Sequence, residues 1–308
     1  MDKRRHFMQI EELKTFLTLC ELKNFTHTAV QLSMSQPTVS LHIKNLEQEF
    51  QTTLFQRSSK RLSITPSGEI LLERTKQMLQ IFENVKQQIA EHHETVQGEL
   101  KIGASYTIGE YILPMILTEV KKKYPHLTLQ ITIGNTREIV ESLKFLQIDV
   151  GLIEGTTNEK DLLVSPFMED ELVIVCAQSH PLTNEKLVTI PQLQNQDWII
   201  REVGSGTGEY LQHVLNQHAV KVKSLTRISS TQGIKECVIN NLGISLLSKN
   251  TIRRELQLGV LKELKLDRKP FIRTFSIINS PIIKNRQTVQ VFLEQIEEVR
   301  NLQSKELV

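Results

Sequence analysis

Residues 25–40 read Phe25-Thr26-His27-Thr28-Ala29-Val30-Gln31-Leu32-Ser33-Met34-Ser35-Gln36-Pro37-Thr38-Val39-Ser40. Thr26 is a candidate N-cap for a short helix carrying Ala29, Val30 and Leu32, because a hydroxyl there accepts a backbone N–H that the first turn leaves unpaired. Ser33-Met34 makes a tight turn. Ser35 caps the next helix, and Pro37 falls in its first turn, where a missing N–H costs nothing. Val39, Ile43, Leu46 and Phe50 then recur at steps of four, three and four, which gives that helix one buried stripe. The opposite stripe, Gln36, Pro37, Ser40, Leu41, Lys44 and Gln48, is mostly short and polar with one cation. It is a face free to meet something outside the core.

The flanks extend the pattern. Ile10, Leu13, Phe16, Leu17 and Cys20 recur at helical spacing and place a helix over residues 10–22. Downstream, Leu54-Phe55-Gln56-Arg57 and Lys60-Arg61-Leu62-Ser63-Ile64 read as two short strands around a Ser58-Ser59 turn, with a basic tip. Residues 1–66 therefore outline a winged helix-turn-helix. They hold nine Lys/Arg against six Asp/Glu, a net +3 in a chain whose total is +2. A basic head on a nearly neutral body suits a nucleic-acid partner.

Thr65-Pro66 starts another helix, which runs to about Glu94 within a linker segment, residues 67–96. Leu71, Thr75, Met78, Phe82, Val85 and Ile89 step along it in a heptad seam with one polar member. A rod of roughly 42 Å, at ~1.5 Å per residue, cannot bury such a seam alone. Leu71, Met78, Phe82, Val85 and Ile89 are thus expected between two copies of the chain, with packing on its own domain as the alternative.

Residues 97–308 alternate strands and helices. Strands are expected at 100–104, 127–133, 150–153, 171–177, 198–201, 225–229, 244–247 and 271–279. Helices are expected at 109–123, 137–147, 208–218, 232–240 and 286–302. The expectation is open, largely parallel sheets covered on both faces. Crossings near Phe167 and Pro270 would divide them into lobe I (97–167 and 270–308) and lobe II (168–269). Three loops follow strand ends at the cleft between the lobes: Ser105-Tyr106-Thr107, Gly134-Asn135-Thr136 and Arg201-Glu202-Val203-Gly204-Ser205-Gly206-Thr207-Gly208. Ligands bind at such strand ends, and hydroxyls with free amides favour an anion.

Composition narrows the alternatives. The chain has 308 residues, 39% hydrophobic and 23% charged, an ordinary soluble balance for about two domains. No apolar run is long enough to span a bilayer, and no h-region follows Met1, so a cytoplasmic protein is expected. Three cysteines, Cys20, Cys176 and Cys237, lie far apart with no CxxC pair, which argues against a disulfide framework or a thiolate zinc site. The nine histidines show no metal-ligand spacing, and His92-His93 point different ways on a helix. The run 204–208 lacks the Gly-Lys-[Ser/Thr] of a P-loop and fits neither G-x-G-x-x-G nor G-x-S-x-G. Glu154 lies where it could line the cleft, but no acid/base pair is evident. The site has no expected catalytic or metal-ligating residue.

Residues 25–47, with Leu54-Phe55-Gln56-Arg57 and Leu62-Ser63-Ile64-Thr65-Pro66-Ser67-Gly68-Glu69, resemble the LysR-type transcriptional regulators. The resemblance extends over the whole chain apart from residues 1–7, which precede the usual family start near Met8. It implies that Ser35, Gln36, Pro37, Thr38, Ser40 and Lys44 meet the major groove or its phosphates, with Thr26 and Thr28 on backbone phosphates. It places Arg57, Lys60 and Arg61, on the wing, at phosphate or minor groove. It implies a two-lobed domain like a periplasmic binding protein, with Ser105, Tyr106, Thr107, Asn135, Thr136, Arg201, Glu202, Gly204, Ser205, Gly206 and Thr207 around a small anionic co-inducer and no cofactor. The implied partners are promoter DNA, a second copy in a homodimer or homotetramer, and RNA polymerase, with no membrane. The stretch Arg201–Thr207 is similar to the sulfur-assimilation and carbon-fixation branches, which suggests a sulfur metabolite or a phosphorylated sugar. The alternative is a metabolite-binding or enzymatic α/β protein with an accessory helical domain.

Overall fold

The computed structural model describes residues 7–57, 62–90 and 96–306, and the chain divides into two units, Met1–Ala90 and Glu91–Val308. In the first unit, α1 (Ile10–Leu22) buries Leu13, Phe16 and Leu19. Helix α2 spans Phe25–Gln31 and α3 spans Gln36–Glu49. Ser33 turns the chain between them at φ +53°. Ser35 caps α3 as expected, its Oγ accepting the Thr38 N–H at 3.2 Å. The cap of α2 is Asn24 rather than Thr26: Asn24 Oδ1 accepts the His27 N–H at 3.0 Å, and Thr26 lies inside the helix. Both residue types cap well, and the extended backbone at Asn24 settles the choice.

Strands β1 (Phe55–Arg57) and β2 (Leu62–Ile64) pair antiparallel. Residues 58–61 and 91–95 lie outside the described residues, and with them the Ser58-Ser59 turn, Lys60, Arg61, His92-His93 and the expected helix end at Glu94. Helix α4 (Pro66–Ala90) begins where expected, with Thr65 Oγ1 accepting the Gly68 N–H at 3.0 Å. Its seam divides in two. Leu71 is buried in the unit's own core with Phe16 and Leu46, and Met78 packs against that core. Farther along, Val85 is 45% and Ile89 72% exposed. The alternative of packing on its own domain therefore holds for the first part of the seam only.

The second unit contains β3 (Gly98–Ser105), α5 (Tyr106–Tyr111), α6 (Leu113–Lys123), β4 (Leu127–Gly134), α7 (Thr136–Lys144), β5 (Val150–Glu154) and β6 (Leu163–Ala177). It continues through β7 (Asp197–Arg201), α8 (Gly206–Gln217), β8 (Ser224–Ile228), α9 (Thr231–Ile239), β9 (Ser245–Ser248), α10 (Arg253–Leu258), β10 (Leu261–Leu264), β11 (Phe271–Asn279) and α11 (Gln287–Glu306). A seven-stranded sheet runs β10-β6-β11-β5-β3-β4, with β9 also on β6. Strands β7 and β8 pair beside it, and β7 reaches the start of β9 through the Trp198–Ile244 bridge.

The sheet is mixed, which corrects the largely parallel expectation. β3 is parallel to β4 and β5, and β7 to β8, but β6 is antiparallel to β9, β10 and β11. The reason is connectivity. β6 carries the chain from lobe I into lobe II and β11 brings it back, so the two strands must run in opposite directions. A register shift at Phe275/Ser276 leaves Phe167 as the extra residue beside Pro166, where the ladder cannot use an N–H. Helices α6 and α11 cover one face of lobe I, with Leu113 and Phe292 in one core with Ile102 and Phe275, and α7 covers the other, with Ile139 and Leu143 in one core with Ile153. In lobe II, α8 packs with Trp198 and Leu246, and α9 with Val173 and Ile199. Both lobes are thus sheets with helices on both faces, and they meet along the two crossing strands.

Candidate DNA-binding face and effector cleft

Helix α3 is held through its C-terminal half. Asn45 Nδ2 donates to buried Glu12 on α1 at 2.7 Å, and Glu47 Oε1 accepts the Leu54 N–H at 2.8 Å, fixing the entry to β1. This leaves Gln36, Pro37, Leu41 and Lys44 exposed, with Thr38 and Ser40 half-buried. Gln36 Nε2 donates to Ser40 Oγ at 3.0 Å, which orders the amide on the surface. Thr26 is exposed on α2. Thr28 is not available as expected: it is buried, and its hydroxyl donates to the Asn24 carbonyl at 2.8 Å. Arg57 closes β1.

In the second unit the three predicted loops do come together, but around a group of the protein's own. Glu154, at the end of β5, is buried. Its Oε1 accepts the Thr107 N–H at 3.2 Å, and its Oε2 accepts the Thr207 N–H at 3.0 Å and the Thr207 hydroxyl at 2.9 Å. Arg273 Nη1 donates to the same Oε2 at 2.9 Å and to Thr207 Oγ1 at 2.8 Å, while its Nε donates to Asp170 Oδ2 at 2.8 Å. Arg273 and Asp170 face each other across β11 and β6, the two crossing strands. Burial pushes the Glu154 carboxyl up, but Arg273, the bonds from Thr107 and Thr207, and Arg201 outweigh it and hold the pKa at about 2. The hydroxyls of Thr107 and Thr207 thus meet on Glu154 and Arg273, groups of the protein itself, while the Ser205 hydroxyl caps α8.

The other loop residues are placed as follows. Arg201 is buried and forms a fork with Glu202 at 2.8 and 2.9 Å, with a third bond to Thr231 Oγ1 at 3.0 Å. Its guanidinium lies over the Tyr106 ring, 4.6 Å from the centroid, so a lobe II cation stacks on a lobe I aromatic. Asn135 and Ser205 cap α7 and α8. The Gly204 carbonyl accepts the Arg137 N–H at 3.2 Å across the lobes. A Cβ at Gly206 would meet Glu154 Cβ and O at 2.7 Å and Thr136 Oγ1 at 3.1 Å, so only glycine lets the lobes close this far. A further cross-lobe contact is made by buried Lys235, which donates to Tyr111 Oη at 3.2 Å and, within its own lobe, to Glu255 at 2.6 Å.

Sequence reasoning did not single out Arg273, Asp170, Thr231 or Lys235. For Arg273 a signal existed: in Phe271-Ile272-Arg273-Thr274-Phe275 the cation alternates with the two phenylalanines on the inward face. Among the described residues no group of three or more His, Cys, Asp or Glu could hold a metal ion, and no helix is long and apolar enough to cross a membrane.

Residues 10–69 match the family described as bacterial regulatory helix-turn-helix protein, lysR family, and residues 93–301 match the LysR substrate binding domain. The chain is 48% identical over 290 residues to the HTH-type transcriptional regulator CysL of Bacillus subtilis, covering 94% of this chain and 97% of that one. Full-length OxyR from Pseudomonas aeruginosa, solved as a point variant, shares the fold at TM-score 0.73 and 23% identity, over 94% of this chain and 95% of that one. The regulatory domain of Synechocystis CcmR in complex with 2-PG aligns at TM-score 0.62 and 28% identity, over 66% of this chain and 98% of that one. A helix-turn-helix head with an exposed polar stripe, followed by a two-lobed sensing domain, makes this chain a member of the LysR family of DNA-binding transcriptional regulators.

Proposed function

We propose that the exposed stripe of α3 reads promoter DNA and that a small anion, bound between the lobes, sets how the protein occupies its promoter. The observation that carries the cleft reading is the convergence of Thr107, Thr207 and Arg273 on one carboxylate. A donor set that holds Glu154 ionised while buried is chemically suited to anionic oxygen. The 2-PG bound to the CcmR domain supports the same class of ligand for this cleft. The anion shifts the population of lobe closures, and closure is passed on through the dimer, or through dimers paired in a tetramer. Exposed Val85 and Ile89 on α4 are the residues we assign to self-association. Their apolar surface is otherwise left in water. RNA polymerase is the downstream partner, the cytoplasm is the compartment, and the cleft senses rather than catalyses.

The test uses the protein's own upstream DNA in a gel shift at two salt concentrations. With six or more phosphate contacts, affinity should fall by roughly a thousandfold or more between 50 and 200 mM salt. Absent or salt-insensitive binding, with turnover of a small molecule instead, would replace the regulator by an enzyme. A thermal-shift panel of small anions tests the cleft, since a ligand at about 100 times its Kd stabilises by about 2.7 kcal/mol.

A further inference from the structure

Leu41 carries the largest apolar side chain on the outward stripe of α3. It is 54% exposed and lies outside the hydrophobic core of the head, whereas Ile43 and Leu46 on the same helix are buried in that core. Pro37, also exposed, stands four residues before it and exposed Lys44 three residues after, so the three share one face. The polar members of the stripe have evident uses. Gln36, steadied by its 3.0 Å bond to Ser40, can pair with a base edge, and Lys44 can reach phosphate or a guanine acceptor. Leu41 can do neither. With Pro37 it makes an apolar strip one helical turn long, bounded by exposed Gln36, Lys44 and Gln48. Such a strip is too small to be an interface between two copies of the chain, which buries a contiguous apolar patch, and it suits a partner group of one or two carbons.

We infer that Leu41 is a specificity-determining residue that reads the C5-methyl group of a thymine in the major groove, with Pro37 extending the contact. The inference rests on α3 being the element that enters the groove. Among the base edges displayed there, the thymine methyl is the one apolar group, and the others are hydrogen-bond donors and acceptors. Over the thymine methyl, Leu41 removes apolar surface from water on both sides of the contact. Over a cytosine amine or a guanine carbonyl, it strips water from a polar group and returns no hydrogen bond. The same side chain therefore favours a T·A pair and penalises its replacements, so discrimination comes from a repulsive element as well as an attractive one.

Deoxyuridine isolates this contact, because it keeps every base-pairing group and every groove donor and acceptor of thymidine and lacks only the C5-methyl. The upstream DNA fragment is prepared twice, with thymine and with deoxyuridine in its place, and titrated with the full chain over excess non-specific DNA. Wild type should bind the thymine fragment about fourfold more tightly for each half-site that carries the contact, the scale of one buried methyl group, and roughly tenfold or more where a dimer reads two. Leu41→Ser, which is short and polar at an exposed position, should bind the two fragments within about twofold of each other. Equal wild-type affinities for the two fragments, or a thymine preference that survives in Leu41→Ser, overturn the methyl contact and leave the α3 reading to stand on Gln36 and Lys44. Absence of specific wild-type binding to the thymine fragment overturns the contact and the α3 reading together. The wild-type comparison needs no variant to fold.

Discussion

Replacing Arg273 by methionine leaves two buried carboxylates without their shared cation. Glu154 would keep its bonds from Thr107 and Thr207, and Asp170 would keep Ser248 Oγ at 2.6 Å and Asn250 Nδ2 at 3.0 Å. Each loses one charge-assisted bond to the guanidinium, worth about 1.5–3 kcal/mol. Two such losses agree with the about 3–5 kcal/mol found when one partner of a buried ion pair is removed. In a domain of about 210 residues that lowers Tm by roughly 6–20 °C, at ~2–4 °C per kcal/mol. The assay is urea or thermal unfolding followed by tryptophan fluorescence. Trp198 is the single tryptophan, 1% exposed in the lobe II core beside Phe271, two residues from Arg273. Adding Glu154→Gln to Arg273→Met should recover part of the loss, because one uncompensated charge is gone. An Arg273→Met protein that unfolds within about 1 kcal/mol of wild type would refute the assignment of Arg273 as the cation that compensates Glu154 and Asp170 on the crossing strands.

Two further outcomes concern α4 and Glu154. Aspartate at both Val85 and Ile89 should convert the oligomer to monomers in light scattering, because their exposed half of the α4 seam has no cover among the described residues; an unchanged mass would remove α4 from the interface. Glu154 is depressed from 4.5 to about 2, so the stability it contributes is complete above about pH 4.5 and is lost as pH falls toward 2. Glu154→Gln should flatten that interval of the stability profile, and parallel profiles for the two proteins would contradict the depressed value.

The head is legible in the sequence because its signals are local. Ser35, Pro37 and the Val39-Ile43-Leu46 stripe lie within one helix and mark its start and its buried side without reference to anything distant. The expected α2 cap falls two residues late because Asn24 and Thr26 are both good caps, and only the backbone conformation separates them. Helix α10 and strand β10 escape a sequence reading, being six and four residues long, although Gly259 at φ +71° ends that helix in the expected manner. The cleft loops are legible because strand ends in α/β sheets announce themselves. What fills the cleft is not. Arg273 meets Asp170 across 103 residues of sequence and Glu154 across 119, and no local pattern encodes which carboxylate a buried cation will find. Thr28 misleads for a related reason: a helix hydroxyl can serve DNA or its own preceding turn, and burial alone decides.

The measurement that bears most directly on the account is fluorescence anisotropy of a labelled upstream DNA fragment titrated with wild type, Gln36→Ala and Lys44→Ala. Both side chains are exposed on α3 and neither contributes to the core that Val39, Ile43 and Leu46 form, so both variants should fold normally. Gln36→Ala should weaken specific binding by about 1–3 kcal/mol and relax base preference where the amide reads. Lys44→Ala should weaken binding by a similar amount, and, where it contacts phosphate, reduce the salt slope by about one. Affinity unchanged in both variants would contradict the assignment of α3 as the element that reads DNA.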